Sequence, residues 1–513
     1  MGEHLEQERS FRAEIGATLP DLVGVAVIAA IGEGEQVCLS ATYLDTVDLQ
    51  LAGSRRTLRR RTGGYDAGWH LKLPGEGEHD RTEIAEELGE EELLVPAPLR
   101  HRLADVTSAL IPVVQLFTVR TEYPLLDEDG RRLAVLTDDQ VAARRVSGWG
   151  SASLPGTGDS AAPAWRELEV ELVDAPASML DKVGESLAAQ GFPPATSPSK
   201  LARSLGSAVA GAADHEWGLG SPAAAVLVRY LAAQVGTLQR SEADLRADAP
   251  DAVHQVRVAC RRIRAVLGSC SELFLDGAVK DLRAQLRHIG RQLADARDAE
   301  VMVAAAETPG QLPAGSAGPQ AGAADRQWLR ADLASRQQRA HRGVVSMLDS
   351  GQYRNAVCAS TQLLVTPPWR IYPRTVAHDP AAQVLTPILE RAERRVSRQA
   401  QRARQLAGGP RPAYLAALHE VRKKAKQARY VADMCAPALG PQVVARAGSW
   451  EKVTDALGEV QDAATWLRWL GSVRTDALKA GVSAELLAAL ADHRATVVRD
   501  GVDRAIVAID MDR

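Results

Sequence analysis

The chain has 513 residues, too many for one hydrophobic core, and its length suggests roughly three to four domain-sized units. Charged residues make up 25% and apolar residues 46%, which excludes a disordered chain, and the lack of any run of about 18 apolar residues predicts no membrane span. The net charge of −4 conceals a division, because residues 1–205 carry −13 and the remainder carries +9. An acidic half joined to a basic half implies two separate tasks. Cys38, Cys260, Cys270, Cys358 and Cys435 are scattered without zinc-like spacing and read as free thiols of a reducing cytosol. The N-terminal MGEHLEQERS lacks the apolar stretch of a secretion signal, so the expected location is cytoplasmic.

In chain order, short alternating segments predict strands: LEQERSFRA, EQVCLSATYLDT, SRRTLRRRTGG, WHLKLPG, LFTVRTEYPLL, RRLAVLTDDQV and WRELEVELV. Gly, Pro and Asp clusters separate them. Helices are expected near 98–109 and 176–190, and a Gly/Ser/Ala-rich loop from Ser147 to Ala164. The alternation places charges together on one face: Glu6 with Glu8, Arg59 with Arg61, His70 with Lys72, Arg81 with Glu83, and Glu167, Glu169 and Glu171 in a ladder. One such strand reads as a wetted surface, whereas six are best gathered by a closed barrel with a charged lumen. In that lumen Glu6, Glu8, Glu169 and Glu171 are hard oxygen ligands suited to Mg²⁺ or Mn²⁺. Arg59, Arg61, Lys72 and Arg120 suit phosphate oxygens.

Taken together, LEQERSF, YLDTVDLQL, TLRRRTGGYDAGWHLKLPG, RTE and WRELEVEL resemble the CYTH domain, the triphosphate tunnel fold, over most of residues 1–205. The resemblance implies an eight-stranded antiparallel tunnel that binds a triphosphate with a divalent metal and hydrolyses it. By position it implies Glu6 and Glu8 as the glutamates of an ExExK signature, catalytic together with Lys72. It also implies metal binding by Glu6, Glu8, Asp138, Glu169 and Glu171, and substrate binding by Arg59, Arg61, Lys72, Arg120 and Lys200. Ser10 stands where the signature has its lysine.

Residues 206–221, rich in Gly and Ala, are expected to link the halves. Beyond them the pattern is helical and repeats. HQVRVACRRIR puts His254, Arg257, Arg261 and Arg264 on one helical stripe, and HEVRKKAKQAR does the same with His419, Arg422, Lys426 and Arg429, 165 residues later. LADARD and LGEVQD end at Asp298 and Asp462, 44 and 43 residues after the two histidines. A Pro/Gly/Ala loop at 308–324 and Pro367, Pro368 and Pro373 interrupt the helices. The duplication predicts two four-helix bundles related by a pseudo-twofold, about 222–365 and 376–512 within a domain at 222–512.

If the stripes face each other they line a groove for a polyanion, extended by Arg291, Arg336, Arg339, Arg391, Arg395, Arg398 and Arg402. Aromatic residues are only 4% of the chain and no helix-turn-helix or RRM signature occurs, which disfavours nucleic acid. A bare polyphosphate fits better. This half resembles the CHAD domain, which implies polyphosphate binding through His254, Arg257, Arg261, Arg264, His419, Arg422, Lys423, Lys426 and Arg429, and association with polyphosphate granules. Asp298 and Asp462 are then expected to orient the cations. The expected architecture is an α+β multidomain chain, a β tunnel at 1–205 followed by an all-α domain. The expected function is metal-dependent inorganic triphosphate or polyphosphate hydrolysis. A polyphosphate-binding protein without turnover is the alternative, and an adenylate cyclase or thiamine triphosphatase fits less well. Nothing in the pattern specifies an oligomer.

Overall fold

In a computed structural model of the protein, residues 2–75, 80–89, 91–146, 164–206, 217–307, 321–370, 376–407 and 411–510 are described. Most of the loops expected at 147–164, 206–221 and 308–324, and Pro373, fall outside them. The chain forms two compact units, one of Met1–Glu216 with Thr361–Pro367 and one of Trp217–Ser360 with Pro368–Arg513.

In the first unit the strands are β1 (Gly2–Ala13), β2 (Ala30–Ile31), β3 (Glu35–Asp45), β4 (Thr57–Thr62), β5 (Gly68–Pro74), β6 (Asp80–Glu86), β7 (Ile111–Leu126), β8 (Arg132–Arg145) and β9 (Ala164–Leu172). Eight of them close a ring in the order β7-β3-β4-β5-β6-β1-β9-β8, with β8 returning to β7 and two-residue β2 appended to β7. Every pairing is antiparallel. Closure removes sheet edges, so no strand of the ring presents an unpaired backbone row.

The ring is inverted relative to an ordinary barrel, with charge inside and apolar residues outside. Helices cover the outer face. Leu44, Leu58, Trp69, Leu71 and Ile84 pack with Leu51 of α1 (Gln50–Gly53) and Leu99 of α2 (Ala97–Arg102). Phe11, Leu136, Leu168 and Val170 pack with Met179, Leu180, Val183 and Leu187 of α3 (Ser178–Ala189). The helix expected over 98–109 stops early, at Arg102, because the chain tightens there into successive short turns: Leu103 N–H donates to the Arg100 carbonyl and Val106 N–H to that of Leu103. A fourth helix, α4 (Lys200–Leu205), starts at Ser199, whose hydroxyl accepts the Ala202 N–H at 3.1 Å.

The second unit is helical: α5 (Ala223–Arg246), α6 (Ala252–Ser269), α7 (Lys280–Gln292), α8 (Ala294–Glu307), α9 (Ala321–Asp349), α10 (Gln352–Val365), α11 (Ala381–Gln405), α12 (Arg411–Leu439), α13 (Pro441–Lys479) and α14 (Ala484–Asp510). The second series has the four expected helices. The first series is divided further: α7 and α8 together correspond to the 39-residue α13, and α10 has no counterpart. Leu293 separates α7 from α8, yet its N–H still donates to Ile289 O, so the division is a local change of pitch. Among the described residues no helix is long and apolar enough to cross a membrane.

The β4–β5 hairpin turns on Gly63 and Gly64, at φ 81° and 75°. A Cβ at Gly63 would lie 2.3 Å from the Cys38 carbonyl oxygen, while one at Gly130 (φ 77°) would meet nothing within 4 Å. Gly63→Ala is therefore expected to destabilise the protein by about 2 kcal/mol or more, and Gly130→Ala by only the backbone strain of about 1–2 kcal/mol. Urea unfolding of both variants checks this, and equal losses would contradict it.

Candidate functional site

The inward faces of six strands contribute charged or titratable groups to one cavity of about 330 Å³. Glu6, Glu8 and Ser10 come from β1, Arg59 and Arg61 from β4, His70 and Lys72 from β5, Arg81 and Glu83 from β6, Arg120 from β7, and Glu169 and Glu171 from β9. Lys200 enters from the first turn of α4. Tyr43 is the only Phe, Tyr or Trp among the lining residues.

These groups are already paired with one another. Lys72 Nζ bridges Glu6 at 2.5 Å and Glu8 at 3.3 Å. Lys200 Nζ reaches Glu169 at 2.6 Å, Glu167 at 2.9 Å and Asp139 at 3.1 Å. Arg120 grips Asp139 with two parallel hydrogen bonds of 2.8 and 2.7 Å and donates to Glu169 at 3.1 Å. Ser10 Oγ donates to Glu169 at 3.2 Å, so the position of the signature lysine holds a neutral hydroxyl. His70 Nε2 donates to the Asp66 carbonyl at 2.8 Å, and its Nδ1 lies 3.0 Å from Glu83.

Burial and these neighbours set the protonation pattern. Burial and a hydrogen bond with Glu83 push Glu6 up to about 8, against the pull of Lys72. Burial also raises Glu83, but His70, Glu6, Lys72 and Arg59 outweigh it and hold Glu83 well below the usual carboxylate range. Glu169 likewise falls, because Lys200 and Arg120 overcome its burial. Lys200 stays firmly charged, since Glu169, Glu167 and Asp139 outweigh desolvation. Burial lowers Arg61 to about 9, and the adjacent Arg59 and Arg120 add to the shift. Glu171, opposite Glu8 in the β1–β9 register, is raised by burial and then by that facing carboxylate.

Asp138 is a correction to the expected metal set. The β8–β9 register puts Asp139 opposite Glu167 and Asp138 opposite Leu168, so Asp138 lies on the outer face. There Arg166 holds it with bonds of 2.7 and 2.9 Å. Asp139, fully buried, is the inward acid. Two further buried groups, Glu83 and His70, enter the site although strand alternation had only placed each beside a lining cation.

A divalent cation has partly suitable donors here. Among the described residues no three His, Cys, Asp or Glu side chains are gathered to hold a metal. The donor chemistry nonetheless fits: Glu8 and Glu171 are facing oxygen ligands, and Glu171 makes no ion pair among the described residues. Mg²⁺ commonly takes one or two carboxylates and completes its shell with water and phosphate oxygens, so a preformed protein cage is not required.

In the helical unit α6 packs against α12, bringing the two stripes together. The repeat extends to hydrogen bonding. Arg257 Nη1 donates to the Gly290 carbonyl at 2.7 Å, and Arg422 Nε lies 3.5 Å from the Thr454 carbonyl; these carbonyls each stand eight residues before the repeated aspartate. Asp298 and Asp462 are raised by burial, against the pull chiefly of Arg257 and of Arg422 respectively. Arg261 and Lys426 make no ion pair among the described residues. Burial, with Arg261 and Arg422, lowers Lys426 to about 7. Both His254 and His419 are lowered, chiefly by burial, and are neutral at pH 7. Arg264 faces Arg283 and Arg287, and Arg429 pairs with Glu451. Lys423 does not join the stripe: one residue beyond Arg422 it is rotated about 100° away, and it pairs with Glu420 at 2.6 Å on the exposed face.

Two family profiles match, the CYTH domain over residues 5–204 and the CHAD domain over residues 229–471. The chain carries a CYTH domain followed by a CHAD domain. The uncharacterized protein Rv2226 of Mycobacterium tuberculosis (strain ATCC 25618 / H37Rv) is 37% identical over 309 residues, 58% of each chain. The chain thus spans under two thirds of the length of the curated relatives it matches. Among solved structures, the CHAD domain from the plant Ricinus communis covers 58% of this chain and 94% of its own, at 17% identity and a TM-score of 0.45. A putative adenylate cyclase from Bacillus halodurans covers 40% of this chain and 98% of its own, at 19% identity and a TM-score of 0.28.

The two neighbouring aspartates of the CYTH barrel provide a sharp test. Asp139→Asn leaves Lys200 and Arg120 under-compensated inside the barrel and is expected to destabilise it by about 3 kcal/mol or more. Asp138→Asn weakens a buried pair on the outer face, but Arg166 keeps the Glu14 and Ala17 carbonyls as acceptors, so the loss should be smaller, about 2 kcal/mol. Denaturant melts of the two variants read the difference, and the reverse order would refute the assigned facing.

Proposed function

We propose that the CYTH tunnel binds a linear triphosphate with a divalent cation and hydrolyses a terminal anhydride bond, while the CHAD domain holds polyphosphate. The domain pairing supports a triphosphate- or polyphosphate-related role. The observation that carries the finer reading is the ring of cations Arg59, Arg61, Lys72, Arg120 and Lys200 around the facing Glu8 and Glu171, in a cavity with almost no aromatic surface. Such a lining recognises phosphate oxygens and offers little to stack against adenine or a thiazolium ring.

In this reading the arginines orient the phosphates, and Lys72 exchanges part of its bond to Glu6 and Glu8 for a phosphate oxygen. Glu8 and Glu171, with Glu6 and Glu169 beside them, would hold Mg²⁺ or Mn²⁺. The bound ion supplies charge neutralisation and polarises the phosphoryl group. Water then displaces the chain in line, giving orthophosphate and the shortened phosphate. Ser10 favours a second reading, a tunnel that binds without turnover, because it removes one cation from the phosphate path. Glu8→Gln distinguishes them: phosphate release from tripolyphosphate with Mg²⁺ or Mn²⁺ should fall at least about 100-fold on this substitution. Absence of release from the unaltered protein, with binding intact, would support the second reading.

For the CHAD domain, polyphosphate would run along the seam of α6 and α12, where Arg261, Arg422 and Lys426 converge. Lys426 is charged below pH 7 and largely neutral above it, and a bound polyanion restores its charge. Binding above pH 7 therefore takes up a proton, and affinity should fall as pH rises from 7 to 9, by up to about tenfold per unit. Lys426→Arg stays charged and should flatten that slope. Titration calorimetry with long-chain polyphosphate at pH 6–9 measures it, and an unchanged slope would exclude Lys426.

A further inference from the structure

The Arg61 guanidinium lies almost wholly inside the tunnel, its side chain 6% exposed, and its Nε has no hydrogen-bond partner. Arg59 and Arg120 crowd it with like charge. Its only ion pair among the described residues is with the carboxylate of Asp66. Asp66 does not belong to the barrel wall. It sits on the β4–β5 hairpin, at the cavity lining, with its side chain 54% exposed. The backbone beneath it is held at several points. Gly63 and Gly64 set the turn, Tyr65 donates its hydroxyl to Glu35 at 2.6 Å, and His70 donates to the Asp66 carbonyl at 2.8 Å.

An anion on an anchored hairpin, making the one ion pair that a buried arginine has among the described residues while Glu83 acts on it from farther away, occupies a place suited to a phosphate oxygen. We propose that Asp66 is an internal competitor for the phosphate subsite at Arg61, and that it makes the tunnel select chains over single phosphates. The proposal rests on the reading that the tunnel binds phosphate chains. A tethered carboxylate acts at an effective concentration of about millimolar or above, and an orthophosphate must displace it using the Arg61 contact and few others. A triphosphate reaches Arg59, Arg120, Lys72 and Lys200 as well, so the loss at one subsite is a small share of its binding. After cleavage the same carboxylate returns to Arg61 and helps expel the orthophosphate product.

The test uses the full chain with Arg261, Arg422 and Lys426 all replaced by Ala, so that calorimetry reports on the tunnel. Orthophosphate and tripolyphosphate are titrated separately with Mg²⁺ present, before and after Asp66→Asn or Asp66→Ser, and thermal melts establish that each protein is folded. Both variants should bind orthophosphate about tenfold more tightly and gain less for tripolyphosphate, so that discrimination narrows. Tyr65→Phe loosens the hairpin but keeps the carboxylate, and should not reproduce the gain. Unchanged or weaker orthophosphate binding in both Asp66 variants, or the same gain from Tyr65→Phe, overturns the proposal while leaving the tunnel's proposed function standing. Tripolyphosphate binding without hydrolysis removes the hydrolytic reading but not this one. Failure of every protein to bind tripolyphosphate overturns both.

Discussion

An ammonium group placed among three carboxylates sets the terms for the acidic side of the tunnel. Lys200 touches Asp139, Glu167 and Glu169, and Arg120 shares two of them. Removed from water, any of these charges alone would be neutralised or expelled, whereas Lys200, Arg120 and Glu169 stay charged because opposite charges outweigh their burial. Lys200 does not come from the barrel wall, so the network exists only while α4 is docked. Ser199 caps that helix, Arg145 binds its last carbonyls at Ser204 and Leu205, and Arg203 spans Glu167 and the Trp165 ring. The short helix is therefore a structural part of the charged interior.

The same balance shapes what the tunnel can bind. On the proposed reading, each phosphate contact would replace an existing carboxylate contact. A ligand with several linked phosphates would then make many exchanges at once, and a divalent cation would occupy the carboxylates that are released. The inverted construction makes this possible, since helices α1, α2 and α3 cover the apolar outer face and leave the inner face free for charge.

In the CHAD domain the repeated stripe divides its labour. Arg257 and Arg422 bind main-chain carbonyls of the neighbouring helix, which fixes the seam. Arg261 and Lys426 make no ion pair among the described residues, and burial, then Arg261 and Arg422, pull Lys426 toward neutrality. Repetition made this legible from the residues, because the same four positions recur at the same helical offsets. The separate roles within each stripe were not legible, since they depend on which carbonyl or carboxylate the next helix presents.

Strand alternation was enough to put Glu6 with Glu8, Arg59 with Arg61, His70 with Lys72, Arg81 with Glu83, and Glu169 with Glu171 on shared faces, because a period of two follows from the covalent geometry of extended chain. Helical offsets were likewise enough for the two basic stripes. The adjacent Asp138 and Asp139 show where such reasoning stops: either could face inward, and only the register of β8 against β7 and β9 decides for Asp139. Lys423 stopped short of the stripe for the equivalent helical reason, a rotation of one residue. Glu83, His70 and Asp66 became part of the site through barrel closure and a hairpin that bring distant residues to the same few ångströms. Composition and periodicity determined which faces carry charge. Tertiary structure alone decided which charges meet, because pairing depends on distances between strands that no local pattern encodes.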